Sequence, residues 1–135
     1  MERVIQQNEN GCVSACIAML TGLTYFEGVR ITHPYRTPHS QLGSTDENTL
    51  AALKRIGLRG YIRKPKRWLQ ELSTNAILFI QHRLYLPAIH AVIWDYESQK
   101  VLDPYPRKDR SPSRHLPFNS YQSSVISYIE VRKQK

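Results

Sequence analysis

Apolar residues near the start of the chain recur at helical spacing. From Cys12 they fall at every third or fourth position, which predicts a helix that Asn10 caps and Gly22 ends. The stretch TYFEGVRI, residues 24–31, predicts a second, shorter helix. The first third of the chain is therefore expected to be helical.

A third helix is predicted over residues 44–57. Thr45 or Ser44 can cap it, acidic residues fill its first turn, and Gly57 stops it after a regular apolar stripe. Residues 33–45, just before it, contain proline, glycine and small polar residues without periodicity, and this composition predicts a loop.

The second half of the chain contains short apolar runs typical of buried strands. They predict strands at residues 59–64, 75–82, 88–94, 99–103 and 125–132. A short helix is expected at residues 65–72 and a loop over residues 105–120. Helices followed by an antiparallel sheet form the α+β pattern. We therefore predict one domain over residues 1–135, with N-terminal helices packed on a C-terminal antiparallel sheet.

The composition narrows the class of protein. Hydrophobic residues make up 41% of the chain and charged residues 22%, as in a folded globular domain. No apolar run approaches the ~18 residues that a membrane-spanning helix needs, and the first residues lack the form of a secretory signal. We expect a cytoplasmic protein without a membrane partner. Two cysteines are too few for a disulfide framework.

Positive charge is concentrated in the second half of the chain. The net charge of +8 is uneven, and residues 54–67 carry seven positive side chains and no acidic one. Such a segment attracts phosphates or acidic partners. Because no nucleic-acid motif accompanies it, we expect an exposed face with at most weak, non-specific nucleic-acid binding. No nucleotide fingerprint is present, so no cofactor is expected.

The two cysteines occupy different positions on the first helix. Cys12 lies in its first turn, where free N–H groups and the helix dipole favour a thiolate. Cys16 lies one turn deeper among apolar residues and is expected to pack in the core. A metal site is disfavoured because the spacing is not Cys-x-x-Cys, and a disulfide would have to form inside a helix. Cys12 is therefore the candidate nucleophile.

Candidates for the other catalytic roles lie on either side of that helix. His90 is the one polar side chain within an apolar strand, and a four-residue loop over residues 95–98 would place it directly opposite Asp103. A carboxylate there fixes the tautomer of the imidazole, provided that this strand register holds. Gln6, with Gln7 as its competitor, precedes Cys12 closely enough to supply an oxyanion donor.

Two stretches of the sequence resemble a known family. QNENGCVSACIAMLTG resembles the opening motif of the C39-type, papain-like cysteine peptidases, and HAVIWDYESQKVLDPYP resembles their second motif. The resemblance covers roughly residues 6–106. It implies a papain-like fold with Cys12 as nucleophile, His90 as base, Asp103 as third member and Gln6 as oxyanion donor.

The resemblance also carries expectations about function. It implies a thiol hydrolase with a peptide or protein substrate. The same residues could transfer an acyl group to an amine, and members of this fold include inactive binding domains, which here could use the basic face. Two positions depart from the family pattern. Gly11 stands where the family has Asp, and Val13 stands where it has Gly.

Overall fold

In the computed structural model, which describes residues 1–7, 10–35, 44–65, 68–82, 89–105 and 117–134, four α-helices accompany one five-stranded sheet. The helices are α1 (Cys12–Thr21), α2 (Tyr25–Thr32), α3 (Asp46–Arg55) and α4 (Phe118–Ser124). The strands are β1 (Leu58–Arg63), β2 (Ala76–Ile80), β3 (His90–Asp95), β4 (Lys100–Leu102) and β5 (Val125–Lys133). The predicted loop over residues 33–45 lies mostly outside the described residues.

Helix α1 begins one residue later than its predicted cap requires. Its N-cap is Gly11, which offers no side-chain hydrogen bond, so the prediction that Asn10 caps the helix is wrong. Asn10 precedes the N-cap position, and a side chain there is one residue too far back for the usual capping bond. At the other end Gly22 adopts φ 70° and donates its N–H to the Ala18 carbonyl, which ends the helix as predicted.

The next two helices begin with reciprocal caps. The Thr24 side chain accepts the Glu27 N–H while the Glu27 side chain accepts the Thr24 N–H. Thr45 and Asn48 form the same arrangement at α3, so Thr45 rather than Ser44 is the cap. Each box satisfies N–H groups that the first turn of a helix cannot pair internally.

The strands form a single antiparallel sheet in the order β1-β5-β2-β3-β4. The strands predicted from the apolar runs are present, with ends that differ by a few residues at most. The prediction of an α+β architecture with helices first and an antiparallel sheet second is confirmed.

Both faces of the sheet are covered by apolar residues. Helices α1 and α3 cover one face, whose core includes Cys16, Ile17, Leu53, Ile77, Ile93 and Ile129. A single 3-10 turn at Leu69–Glu71 and helix α4 cover the other face, whose core includes Leu69, Leu78, Trp94, Tyr121 and Tyr128. Cys12 and His90 lie at the start of α1 and of β3 respectively.

Two predictions about the second face are wrong. Within the described residues 68–72 of the helix predicted over residues 65–72, the structure has a single 3-10 turn, because Leu69 and Leu72 point inward three residues apart and one such turn satisfies that spacing. Helix α4 begins inside the loop predicted over residues 105–120 and continues beyond it to Ser124. Its sequence is mostly polar and Tyr121 is its one buried residue, so it shows little periodicity.

The described α-helices are short, at 7 to 10 residues. No single one of them is long and apolar enough to cross a membrane. Helices α1 and α2 meet the criteria of length and composition only when taken together, and a bend of 108° separates them.

Candidate active site

The β3–β4 hairpin brings His90 and Asp103 together through a register that differs from the predicted one. Trp94 pairs with Val101, so the connecting loop is residues 96–99 and not 95–98. Asp95 remains in the strand because the turn closes beyond it, where the Ser98 hydroxyl donates to its carboxylate at 2.8 Å. The predicted direct opposition of His90 and Asp103 is therefore wrong.

The shift in register is two residues, which keeps side chains on their original face of the sheet. Continuing the ladder places Asp103 opposite Val92, so His90 and Asp103 are diagonal neighbours on the same face. Their side chains still meet, with 2.6 Å between His90 Nε2 and Asp103 Oδ1. The predicted contact between the side chains of His90 and Asp103 is therefore present, but in a different strand register.

Asp103 is held by hydrogen bonds to both carboxylate oxygens. Oδ1 accepts the Tyr105 N–H at 2.9 Å in addition to the bond with His90, and Oδ2 accepts the Tyr121 hydroxyl at 2.6 Å. The residue is 2% exposed. A buried carboxylate bonded on both oxygens is fixed in orientation.

Tyr121 was not among the residues predicted for the site. It belongs to helix α4, which the polar sequence FNSYQSS concealed. The available signal was the pair Phe118 and Tyr121, two aromatic residues three positions apart directly after Pro117.

His90 is 5% exposed, and its neighbours include the side chains of Asp103 and Cys12. Burial by itself lowers the pKa of His90, but hydrogen bonds with Asp103 and with Cys12, together with the charges of both, raise it from 6.5 to about 9. The imidazole is therefore protonated at neutral pH. Because Nε2 faces Asp103, Nδ1 is the ring nitrogen left for the Cys12 sulfur. The Tyr105 ring packs edge-on against the imidazole, with 5.9 Å between ring centroids.

The two thiols differ in environment. Cys12 is the first residue of α1 and is partly exposed, whereas Cys16 is completely buried. Burial, and then the nearby charges of Cys12 and Asp103, raise the pKa of the Cys16 thiol well above its usual value. Cys16 is therefore a neutral core residue, as the sequence predicted.

Gln6 and Gln7 are separated by the structure. Gln6 is 5% exposed, and its backbone N–H donates to the Pro104 carbonyl at 2.9 Å, next to Asp103. Gln7 is exposed, and its side chain contacts the carbonyl of Ile5 at 3.4 Å. Of the two candidates, Gln6 is the one that lies beside the His90 and Asp103 pair.

Packing explains why Gly11 and Val13 suit this fold, although both depart from the motif that the sequence resembles. A Cβ atom at Gly11 would overlap the hydroxyl and ring of Tyr25, which is itself buried, so a larger residue does not fit. Val13 is 4% exposed and belongs to the core between α1 and the sheet. Neither residue projects a functional group toward the site.

The described part of the basic segment, residues 54–65, is largely exposed. The guanidinium groups of Arg63 and Arg132 lie 5.4 and 5.5 Å from the centroid of the Tyr61 ring, and both pair with Glu130. Among the residues that the structure describes, no three His, Cys, Asp or Glu side chains are grouped to hold a metal ion.

Comparison with known proteins identifies the fold. No protein-family model and no curated protein matches the chain. Among solved structures the chain is similar to the peptidase domain of Streptococcus ComA, a bifunctional ABC transporter involved in a quorum-sensing pathway. The two share 17% identity and a TM-score of 0.60 over 98% of each chain. The chain therefore has the α+β fold of the papain-like cysteine peptidases, and at this identity the likeness concerns the fold alone.

Proposed function

We propose that the chain is a thiol hydrolase that cleaves a peptide, isopeptide or other amide bond through an acyl-enzyme on Cys12. The observation that carries this proposal is the hydrogen-bonded series from Asp103 through His90 to Cys12. A protonated, carboxylate-bound imidazole beside a thiol stabilises the thiolate, which is the nucleophilic form. The papain-like fold supports the same reaction class.

In the proposed reaction the thiol proton already resides on His90, and the Cys12 thiolate paired with that ring attacks the carbonyl carbon of the substrate. The oxyanion that forms accepts hydrogen bonds from the Gln6 side-chain amide and the Cys12 backbone N–H, which is one of the free donors of the first helical turn. His90 then returns its proton to the leaving amine as the C–N bond breaks. A water molecule, activated by His90, cleaves the thioester; an amine in its place would make the reaction an acyl transfer.

Variants of each residue test these roles with p-nitrophenyl acetate as a generic acyl donor. Cys12→Ala and His90→Ala should abolish nitrophenolate release while circular dichroism remains unchanged. Gln6→Ala should slow release by ~100- to 1000-fold, the usual cost of one oxyanion donor. Asp103→Asn should do less harm than the loss of Cys12, because the hairpin still holds the ring. His33→Ala, which changes a histidine at the C-terminal end of α2, is the matched control.

Alkylation tests activation of the thiol without any substrate. Iodoacetamide should modify Cys12 faster in the wild-type protein than in His90→Ala between pH 5 and 8, because the protonated ring stabilises the thiolate. Equal rates across this range would contradict the proposal.

A papain-like binding module is the second candidate, and the exposed cationic groups around Tyr61 favour it. If this surface is only an exposed basic face, its nucleic-acid binding should be weak and should fall steeply as salt rises, because phosphate contacts dominate it. Binding that persists in moderate salt and distinguishes sequences would favour this candidate over the hydrolase.

A further inference from the structure

Residues 1–7, called the N-terminal strap below, reach the site without being part of a helix or strand. Val4 packs against the core, but the strap also borders a cavity of about 330 Å³ that is lined by Met1, Glu2, Arg3, Val4 and the end of α1. Apolar packing therefore restrains only part of the strap. Polar contacts have to supply the rest of its placement.

Three hydrogen bonds tie the strap to consecutive carbonyl groups after β4. Arg3 Nε donates to the Asp103 carbonyl at 2.6 Å, and Arg3 Nη2 donates to the Tyr105 carbonyl at 2.8 Å. Between them, the Gln6 N–H donates to the Pro104 carbonyl at 2.9 Å. The guanidinium of Arg3 is rigid and planar, so its two hydrogen bonds fix both the distance and the angle between the strap and residues 103–105.

Asp103, on the segment after β4, and Gln6, on the strap, are held in place in different ways. The Asp103 carboxylate has hydrogen bonds with His90, Tyr105 and Tyr121 that do not involve Arg3. Gln6 belongs to the strap and follows Arg3 by three residues, and no helix or strand fixes the backbone between these two residues. Loss of Arg3 should therefore displace Gln6 more than Asp103.

We propose that Arg3 is a positioning residue that holds the Gln6 amide where it can bind the oxyanion. This inference rests on the proposed hydrolase function. An oxyanion donor must lie within a few tenths of an ångström of its working position, and the Arg3 fork supplies a restraint of that kind on a buried glutamine.

Acylation kinetics of single and double variants test the inference. Arg3→Ala should slow acylation by p-nitrophenyl acetate about 10- to 100-fold, the usual cost of misplacing a catalytic group. In the Gln6→Ala background the same change should cost less than about threefold, because the group that Arg3 positions is already missing. Arg3→Lys should recover little, since an ammonium group has no fork. Arg30→Ala, at an exposed arginine of α2, is the control for charge and should match the wild type.

Alkylation separates positioning from general damage to the site. Iodoacetamide forms no oxyanion, so its rate with Cys12 should stay within about threefold of wild type in Arg3→Ala. Full, multiplicative losses in the double variant, or equal slowing of acylation and alkylation, would overturn the inference.

A separate measurement is needed if the wild-type protein shows no Cys12-dependent acylation, because that result would refute the proposed function. Hydrogen exchange at the Gln6 backbone amide then decides whether Arg3 holds this segment. Exchange at least about tenfold faster in Arg3→Ala, with strand amides unchanged, supports the positioning by Arg3. Unchanged exchange overturns it.

Discussion

Replacing Asp103 with Asn removes the negative charge and the stronger hydrogen bond that keep His90 protonated. The folded-state pKa of His90, about 9, lies above its ordinary value of 6.5, so protonation of this ring stabilises the fold. That contribution is complete below pH 6.5 and is lost as the pH rises through 9. In Asp103→Asn burial still lowers the pKa of His90 and Cys12 still raises it, so a large part of the contribution should disappear.

The magnitude follows from the pKa values. A tenfold change in proton affinity is worth 1.36 kcal/mol, so a pKa raised from 6.5 to about 9 corresponds to roughly 3 kcal/mol in the free energy of unfolding. Because His90 is only 5% exposed, screening by solvent reduces this free-energy contribution little.

The assay is urea unfolding at a series of pH values between 6 and 10, followed by tryptophan fluorescence, since Trp94 is completely buried. The informative quantity is the difference in unfolding free energy between wild type and Asp103→Asn. Taking this difference removes the contribution of Cys16 except for the part of its pKa shift that the Asp103 charge causes. The difference in unfolding free energy between wild type and Asp103→Asn should shrink by up to about 3 kcal/mol as the pH rises from 6.5 past 9.

Asp46→Asn is the matched control for the loss of an aspartate, because Asp46 is an exposed residue in the first turn of α3. Its difference from wild type should stay constant over the same pH range. A difference for Asp103→Asn that is equally constant would refute the claim that Asp103 keeps His90 charged.

Three further predictions concern the surroundings of the site. Brief iodoacetamide treatment followed by mass spectrometry should find Cys12 modified and Cys16 modified only after unfolding, and equal labelling would contradict the assigned environments. Gly11→Ala should lower the unfolding free energy by about 1–3 kcal/mol, because the new methyl group overlaps Tyr25; a variant as stable as wild type would show that the ring moves freely. Tyr121→Phe should cost about 1–3 kcal/mol in the same measurement, because it removes a hydrogen bond to a buried carboxylate. An unchanged stability would mean that solvent replaces the hydroxyl.

Features that depend on neighbouring residues could be predicted from the sequence. The apolar spacing after Cys12 indicated α1 and the burial of Cys16, and Gly22 indicated where that helix ends. The apolar runs indicated the strands, and their order after the helices indicated the α+β class. Each of these inferences uses a period or a cap that lies within about ten residues of sequence, where local sterics and amphipathicity dominate.

Features that depend on contacts between distant segments required the tertiary structure. The β3–β4 register differed from the prediction by two residues, because the conformation of residues 96–99 decides where the turn closes. The contact between Asp103 and His90 survived, since an even shift preserves the face of each side chain. Tyr121 reaches Asp103 only because the polar helix α4 folds over the sheet, and Arg3 lies 100 residues from the carbonyl that it binds. No local periodicity records such contacts, because the packing of the complete fold sets them.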